Sequence, residues 1–265
     1  MIYTTSSSNA LTRSENVDKW RKKNDSEKSK ISSKFVLKGP ILEIGCGTGQ
    51  ILANIKSKSL KVGVDYSIDR IESSIFKDKI FFIKSDVKKL PFVKDSFNNI
   101  IMSHFYHELI QFEAKKNFHK IVREITSKLK SKGRLIILDH CDPGDDYCKF
   151  NMTEENYSLY EKFKSKFKFY KKKKKESKNI FYKRNLQNFI TKIWSLNTAA
   201  EELEMNEDHT LLNPIKIFKR LRRHGFRLVK IKNFGDLSDL STFYKLSKKR
   251  KKLFNRQFCL IIEKL

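Results

Sequence analysis

The four cysteines, Cys46, Cys141, Cys148 and Cys259, form no C-x-x-C pair, so neither a zinc ribbon nor a disulfide framework is encoded. Such scattered thiols read as reduced, as in a cytoplasmic protein. Proline is scarce, with four in 265 residues, which excludes a Pro-rich linker or a collagen-like chain. No apolar run approaches the length of a membrane span. No sequence repeat is evident. Apolar residues make up 39% of the chain, so its core must be economical. Aromatic residues, with 21 Phe among them, are too frequent for a disordered chain. These bounds leave one medium α/β domain, or one such domain with an embellishment.

Acidic side chains are also in deficit, 30 against 57 Lys and Arg, for a net charge of +27. The excess is not uniform. Residues 141–161 hold six acids and one base, residues 162–192 hold 13 bases and one acid, and residues 193–212 hold five acids and no Lys or Arg. A basic block between two acidic ones suggests attraction to anions: phosphates, nucleic acid or acidic lipid. The alternative is a solvated, Lys-rich surface. The preference for Lys over Arg favours the alternative, because Arg makes the better phosphate fork. The Lys171–Lys175 run reads as a solvated loop or helix end. Residues 1–14 lack acids and are rich in Ser and Thr. That weakly resembles a transit peptide, and a frayed terminus is the simpler reading.

Residues 1–35 form a polar arm, helical and mobile over 9–33, with Trp20 as its main apolar anchor. From Val36 the pattern changes. Short apolar strands are expected at 40–44, 61–64, 80–83, 99–103 and 134–138, with helices at 50–58, 67–76 and 113–131 between them. Gly133 is expected to cap the last of these helices. This alternation over 36–140 argues for a parallel sheet wrapped by helices. Residues 141–212 break the rhythm. Thr153 can cap a helix bearing Tyr157, Tyr160, Phe163, Phe167 and Tyr170. A second amphipathic segment carries Leu186, Phe189, Ile190, Ile193 and Trp194. Together they suit a helical cap inserted after strand five, with the aromatic stripe serving as core. Residues 213–265 return to the sheet, with a helix near 214–224 ended by Gly225 and strands at 226–231 and 258–262.

The run Glu43-Ile44-Gly45-Cys46-Gly47-Thr48-Gly49 is the most informative. Strand, glycine turn and helix build a ligand cradle that admits close approach to the backbone. Its third glycine comes one residue too early for the dinucleotide fingerprint G-x-G-x-x-G. Glu43 at the mouth of the cradle would repel a pyrophosphate and suit a cationic ligand with a sulfonium and an ammonium group. Asp65 ends the next strand, twenty residues after Gly45, where a carboxylate can accept both hydroxyls of a ribose. Asp86 ends the third and can accept from an adenine amino group, with the Val87 N–H as a donor. Three acids at consecutive strand ends line the edge where open α/β sheets bind ligands.

Taken with Val64-Asp65-Tyr66-Ser67, Ser85-Asp86, Leu90-Pro91-Phe92, Asp95 to Ile101 and Leu129–Leu138, this set resembles class I S-adenosylmethionine-dependent methyltransferases. The nearest pattern is the type-11 group, which includes ubiquinone/menaquinone-biosynthesis-type enzymes. The likeness covers about residues 36–140, is loose over 213–265 and is absent over 141–212. Asn98 departs from it, standing where the group often has Asp. The resemblance implies a Rossmann-like, seven-stranded, mostly parallel sheet whose last strand is antiparallel, with helices on both faces. It implies S-adenosylmethionine as cofactor. Glu43 and the turn Gly45, Cys46, Gly47 and Gly49 would surround its methionine part. Asp65 and Tyr66 would lie at the ribose, Asp86 and Val87 at the adenine, and Ser103 and His104 near the methyl group.

Methyl transfer from a sulfonium needs alignment and a dry site more than covalent help. A base is required only where the acceptor must lose a proton. The candidates are His104 and His107-Glu108 after strand four, with Asp139-His140 after strand five. Asp139-His140-Cys141-Asp142 followed by Asp145 and Asp146 matches no standard ligand spacing, so no metal is expected. His209, in an acidic turn, is expected to be structural. The leading expectation is a methyltransferase of a small molecule. The alternatives are a methyltransferase of RNA or other nucleic acid using the basic stretches, and a non-enzymatic insertion docked on an anionic membrane or acidic partner.

Overall fold

The computed structural model describes residues 15–113, 115–247 and 253–265; the Ser/Thr-rich residues 1–14 and the Trp20 side chain lie outside it. The first half alternates as expected: α1 (Glu15–Ser33), β1 (Ile41–Ile44), α2 (Gln50–Asn54), β2 (Lys61–Asp65), α3 (Ile68–Glu72), β3 (Phe81–Lys84), β4 (Phe97–Ser103), α4 (Tyr106–Phe112), α5 (Lys115–Lys128) and β5 (Leu129–His140). The insertion adds β6 (Tyr147–Lys149), α6 (Glu154–Lys166), β7 (Ile180–Tyr182), α7 (Lys183–Lys192) and α8 (Glu201–Met205). Then come α9 (Pro214–Arg222), β8 (Phe226–Asp236), α10 (Leu237–Phe243) and β9 (Asn255–Lys264).

Seven strands make one sheet in the order β3-β2-β1-β4-β5-β9-β8. β9 runs antiparallel to both its neighbours, and the pairs from β3 to β5 are parallel. β1 is buried along its whole length, as a central strand in a doubly covered sheet must be. Alternate residues feed two cores. Leu42, Ile44, Ile100, Met102, Leu135 and Ile137 point to one face, and Ile41, Ile101, Ile136 and Leu138 to the other. The strand order reverses between β1 and β4. Ligands of open α/β sheets bind outside the C-terminal strand ends at such a switch point.

Several sequence expectations change. α2 and α3 stop short of residues 58 and 76, and α5 ends at Lys128. Gly133 is not a helix cap: Leu129 already pairs with Phe97, and the chain bends through Lys132 at φ 60°. A Cβ on Gly133 would stand 2.8 Å from the Lys130 carbonyl oxygen, so glycine is required by close backbone approach. The C-terminal part of α1 docks on the sheet domain: Ile31 is buried and Ser29 donates to the Ile51 carbonyl at 3.0 Å.

The insertion contains helices and a small antiparallel β6–β7 ladder. Thr153 caps α6 by accepting from the Asn156 N–H at 3.3 Å. Tyr160, Phe163 and Phe167 are buried with Phe181, Leu186, Phe189 and Ile190 in a separate core, which Leu237, Leu240 and Leu246 complete from the β8–β9 connection. The three charge blocks pair with one another. Asp142–Arg184, Asp145–Lys173, Asp146–Lys183, Glu154–Lys178, Glu161–Lys164, Glu201–Lys166 and Glu204–Lys192 are ion pairs. The exposed ones contribute little stability each, about 0–1 kcal/mol, but they use much of the alternating charge inside the insertion.

Candidate active site

The glycine turn leaves β1 with Gly45, Gly47 and Gly49 at φ 69°, 53° and 75°. L-residues rarely adopt this left-handed region. The three glycines also differ in surroundings. A Cβ on Gly45 would meet the Phe105 ring at 2.9 Å and one on Gly49 the Phe82 ring at 2.7 Å, whereas one on Gly47 would find nothing nearer than the Arg70 side chain at 3.9 Å. Gly45 and Gly49 let the turn pack, and Gly47 presents bare backbone to open space. Gly45 and Cys46 donate their N–H groups to the Val64 carbonyl at 2.9 and 3.0 Å. The Cys46 thiol is buried.

Asp65 ties the strand ends together. Its Oδ2 accepts from the Gly47 N–H at 2.7 Å, its Oδ1 from the Ser67 N–H at 2.9 Å, and its carbonyl from the Ser85 N–H at 3.0 Å. Tyr66 beside it is exposed. Asp86 is half-buried and accepts from the Lys88 N–H at 2.9 Å, next to buried Val87. The turn, Asp65 and Asp86 therefore share the C-terminal edge of β1, β2 and β3.

Glu43 lies deeper than the sequence suggests. It is 1% exposed, under the turn and not at its mouth, and its Oε2 has no hydrogen-bond partner. Burial pushes its carboxyl up to about 8, with Asp25 and Asp65 adding to the effect and Lys28 and the Leu52 N–H opposing it. Other buried atoms without a partner gather along the same edge: Ser103 Oγ, His140 Nδ1, Gln187 Oε1 and Gln257 Oε1. Native interiors leave few such atoms, and a concentration of them marks a place where a polar ligand could complete the bonding.

Beyond β4 and β5 the chain brings together four histidines. His104 follows β4 at φ 50°, a strained conformation for a non-glycine residue. Its ring stacks on His140 at 4.4 Å between centroids, and His140 stacks on His209 at 4.2 Å. Burial holds all three imidazoles well below the usual histidine range, helped at His104 by Lys28, at His140 by His209 and at His209 by Lys192. The Gln257 amide nitrogen lies 2.6 Å from His104 Nε2 and can only donate, so that lone pair is engaged. His107 differs. Burial would lower it, but Asp139 overrides this and lifts it to about 9. The buried Asp139 carboxylate takes His107 Nδ1 at 2.8 Å, the His107 N–H at 3.0 Å and the His140 N–H at 2.7 Å. At neutral pH His107 thus offers an N–H and no lone pair. His209, expected to be structural, sits in this cluster; its place depends on a contact 102 positions from His107, which no local spacing could reveal.

The sequence pattern of the methyltransferase domain matches residues 38–212. The chain belongs to the methyltransferase-domain family, of the class I S-adenosylmethionine-dependent type. It is 31% identical over 112 residues to the uncharacterized methyltransferase YcgJ of Bacillus subtilis, covering 40% of this chain and 42% of that protein. It is 28% identical over 131 residues to the ubiquinone/menaquinone biosynthesis C-methyltransferase UbiE of Wigglesworthia glossinidia brevipalpis, covering 45% of this chain and 48% of that one. The match thus spans less than half the length of either curated relative. Among solved structures, a SAM-dependent methyltransferase from Archaeoglobus fulgidus superposes with a TM-score of 0.52 at 18% identity, covering 92% of this chain and 94% of that one. That likeness is one of fold. No helix among the described residues is long and apolar enough to cross a membrane.

Proposed function

We propose that this protein transfers the methyl group of S-adenosylmethionine to a small polar acceptor. The observation that carries the reading is the buried Glu43 carboxyl, whose Oε2 finds no partner among the described residues, beside a glycine turn that presents bare backbone at Gly47. A cationic ligand is what such a carboxyl lacks. Glu43 and the Gly45-Cys46-Gly47 backbone, ending at Gly49, would hold the methionine part. Asp65, with Tyr66 beside it, would hold the ribose, and Asp86 with the Val87 N–H the adenine. Ser103, whose hydroxyl lacks a partner, and His104 would face the methyl group. When bound, S-adenosylmethionine supplies an electrophilic methyl on a cationic sulfur.

The chain supplies alignment and dryness. The chain around Ser103 and His104 would align an acceptor lone pair opposite the sulfur; the methyl would pass to the acceptor together with the positive charge, which the acceptor would shed as a proton where it carries one. A water-poor site favours such a pre-aligned displacement. The cluster beyond β4 is rich in imidazoles and carboxylates, with Lys192 against His209, and this polarity suits a small polar acceptor. The ion pairs within the insertion engage part of the Lys-rich block, which weighs against that block as a nucleic-acid surface. Titration calorimetry with S-adenosylmethionine tests the proposal: heat from the wild type and weakened binding in Asp65→Ala are expected. No heat, or unchanged affinity in the variant, would overturn it.

A further inference from the structure

His107, Glu207 and His209 each bring one ligand-type atom within 4.8 Å of the others. His107 is the second residue of α4, and the other two lie on the connection between α8 and α9. The geometry points to a binding site for one divalent first-row transition-metal ion, held by these two imidazoles and one carboxylate, beyond the C-terminal end of β4. It rests on no part of the cofactor reading.

The remote ring nitrogens are the first support. His107 Nδ1 is held by Asp139 at 2.8 Å, and His209 Nδ1 faces Thr191 Oγ1 at 3.2 Å. Metal-ligating histidines engage one nitrogen in this way to aim the other at the ion. His209 Nε2 stands 3.3 Å from Glu207 Oε2, a gap that a shared cation would bridge.

The platform beneath Glu207 and His209 is the second. Buried Asp208 accepts from the Thr210 N–H at 2.8 Å, the Thr210 hydroxyl at 2.6 Å and Asn188 Nδ2 at 3.0 Å. Asn188 Oδ1 takes the His209 N–H at 2.9 Å, and Gln187 Nε2 donates to the His209 carbonyl at 2.9 Å. Gln111, on the same helix as His107, accepts from the Asp208 N–H at 2.7 Å. Asn188 and Gln187 are at most 1% exposed, so much buried polarity serves to fix this turn. Preorganised ligand shells are built this way.

Two groups oppose the ion: the proton that Asp139 holds on His107 must leave before that ring can ligate, and Lys192 competes directly. Lys192 Nζ, fully buried, lies 3.0 Å from Glu204 Oε2 and 3.3 Å from His209 Nε2. It must withdraw toward Glu204 when a dication enters, and it is therefore a built-in competitor. Two imidazoles and a carboxylate suit Zn²⁺ and its first-row neighbours better than Mg²⁺ or Ca²⁺, and three protein ligands leave positions open for water or an acceptor oxygen.

The test uses the full chain, stripped with chelator and titrated with ZnCl₂ by calorimetry and with CoCl₂ by visible absorption. One ion per chain is expected, with a Co²⁺ d–d band. Glu207→Gln and His209→Ala should each weaken binding by at least about 10-fold, and Lys192→Met should tighten it. Circular dichroism of the metal-free variants separates lost ligands from lost fold, and near-isosteric Glu207→Gln carries the test if His209→Ala does not fold. No bound ion at micromolar metal, or wild-type affinity in Glu207→Gln, would overturn the site. S-adenosylmethionine titrated into the same samples reports the cofactor reading separately.

Discussion

Binding of a cationic cofactor should expel a proton from this protein. Glu43 is held at about 8 in the free fold, chiefly by burial, so at pH 7 its carboxyl is mostly protonated. A sulfonium or ammonium nearby stabilises the carboxylate, so binding must drive the proton off. Below pH 8 the apparent affinity then rises with the ionised fraction, by roughly 20-fold from pH 6 to 7.5. The ligand's own α-amino group stays mostly charged over that range, since such groups titrate near about 8. Calorimetry at pH 7 in buffers of different ionisation enthalpy should show close to one proton released. Glu43→Gln should flatten both the affinity slope and the proton count. A pH-independent affinity in the wild type, or a slope that survives in Glu43→Gln, would refute the assignment of Glu43 to the cofactor.

Because the Glu43 pKa is raised by folding, the unfolded chain binds fewer protons between pH 4.5 and 8, so this group lowers stability as pH rises. At pH 9 the cost is on the order of 5 kcal/mol, so Glu43→Gln should be the more stable form there in urea unfolding and gain little at pH 4. Gly49→Ala should destabilise by about 2–4 kcal/mol, because its Cβ would meet Phe82 at 2.7 Å with φ at 75°. Gly47→Ala meets nothing nearer than the Arg70 side chain at 3.9 Å and should cost only about 1 kcal/mol of backbone strain while weakening S-adenosylmethionine binding; thermal melts and calorimetry on the pair separate packing from ligand contact. Phe163→Ala, in the insertion's core, should cost about 3–5 kcal/mol by chemical denaturation, and a value near zero would show that this core does not support the fold.

The sheet was legible because its strands carry their own signal. Runs such as Ile41–Ile44 and Leu135–Leu138 are apolar on both faces, which only a covered parallel strand tolerates. The glycine turn was legible because close backbone approach leaves a fixed residue spacing. β6 and β7 were not, since three residues each hold no periodicity and their pairing joins positions 31 to 35 residues apart. Gly133 was misread because a glycine after a helix has two uses, and only the Leu129–Phe97 pairing shows which applies.

The same distinction governs the site. Asp65 could be placed from sequence, since its role depends on a strand end and a neighbouring turn, both local. The depth of Glu43 could not, since Asp25 and Lys28 come from α1, whose polar sequence announces no docking surface. The charge blocks were visible as composition, but whether they face solvent or each other depends on how α6, α7 and α8 fold back. Asp142–Arg184 and Lys166–Glu201 answer that only in three dimensions. His209 is the sharpest case. Nothing around it in the chain distinguishes it from a turn residue, and its chemistry comes from the Asp139–His107 pair brought against it from β5 and α4. The glycine turn is written in short-range pattern, whereas the histidine cluster is assembled from long-range contacts. Under the proposed function, the choice of acceptor is therefore to be sought at residues 104–108, 139–140 and 187–209, where the insertion meets the sheet.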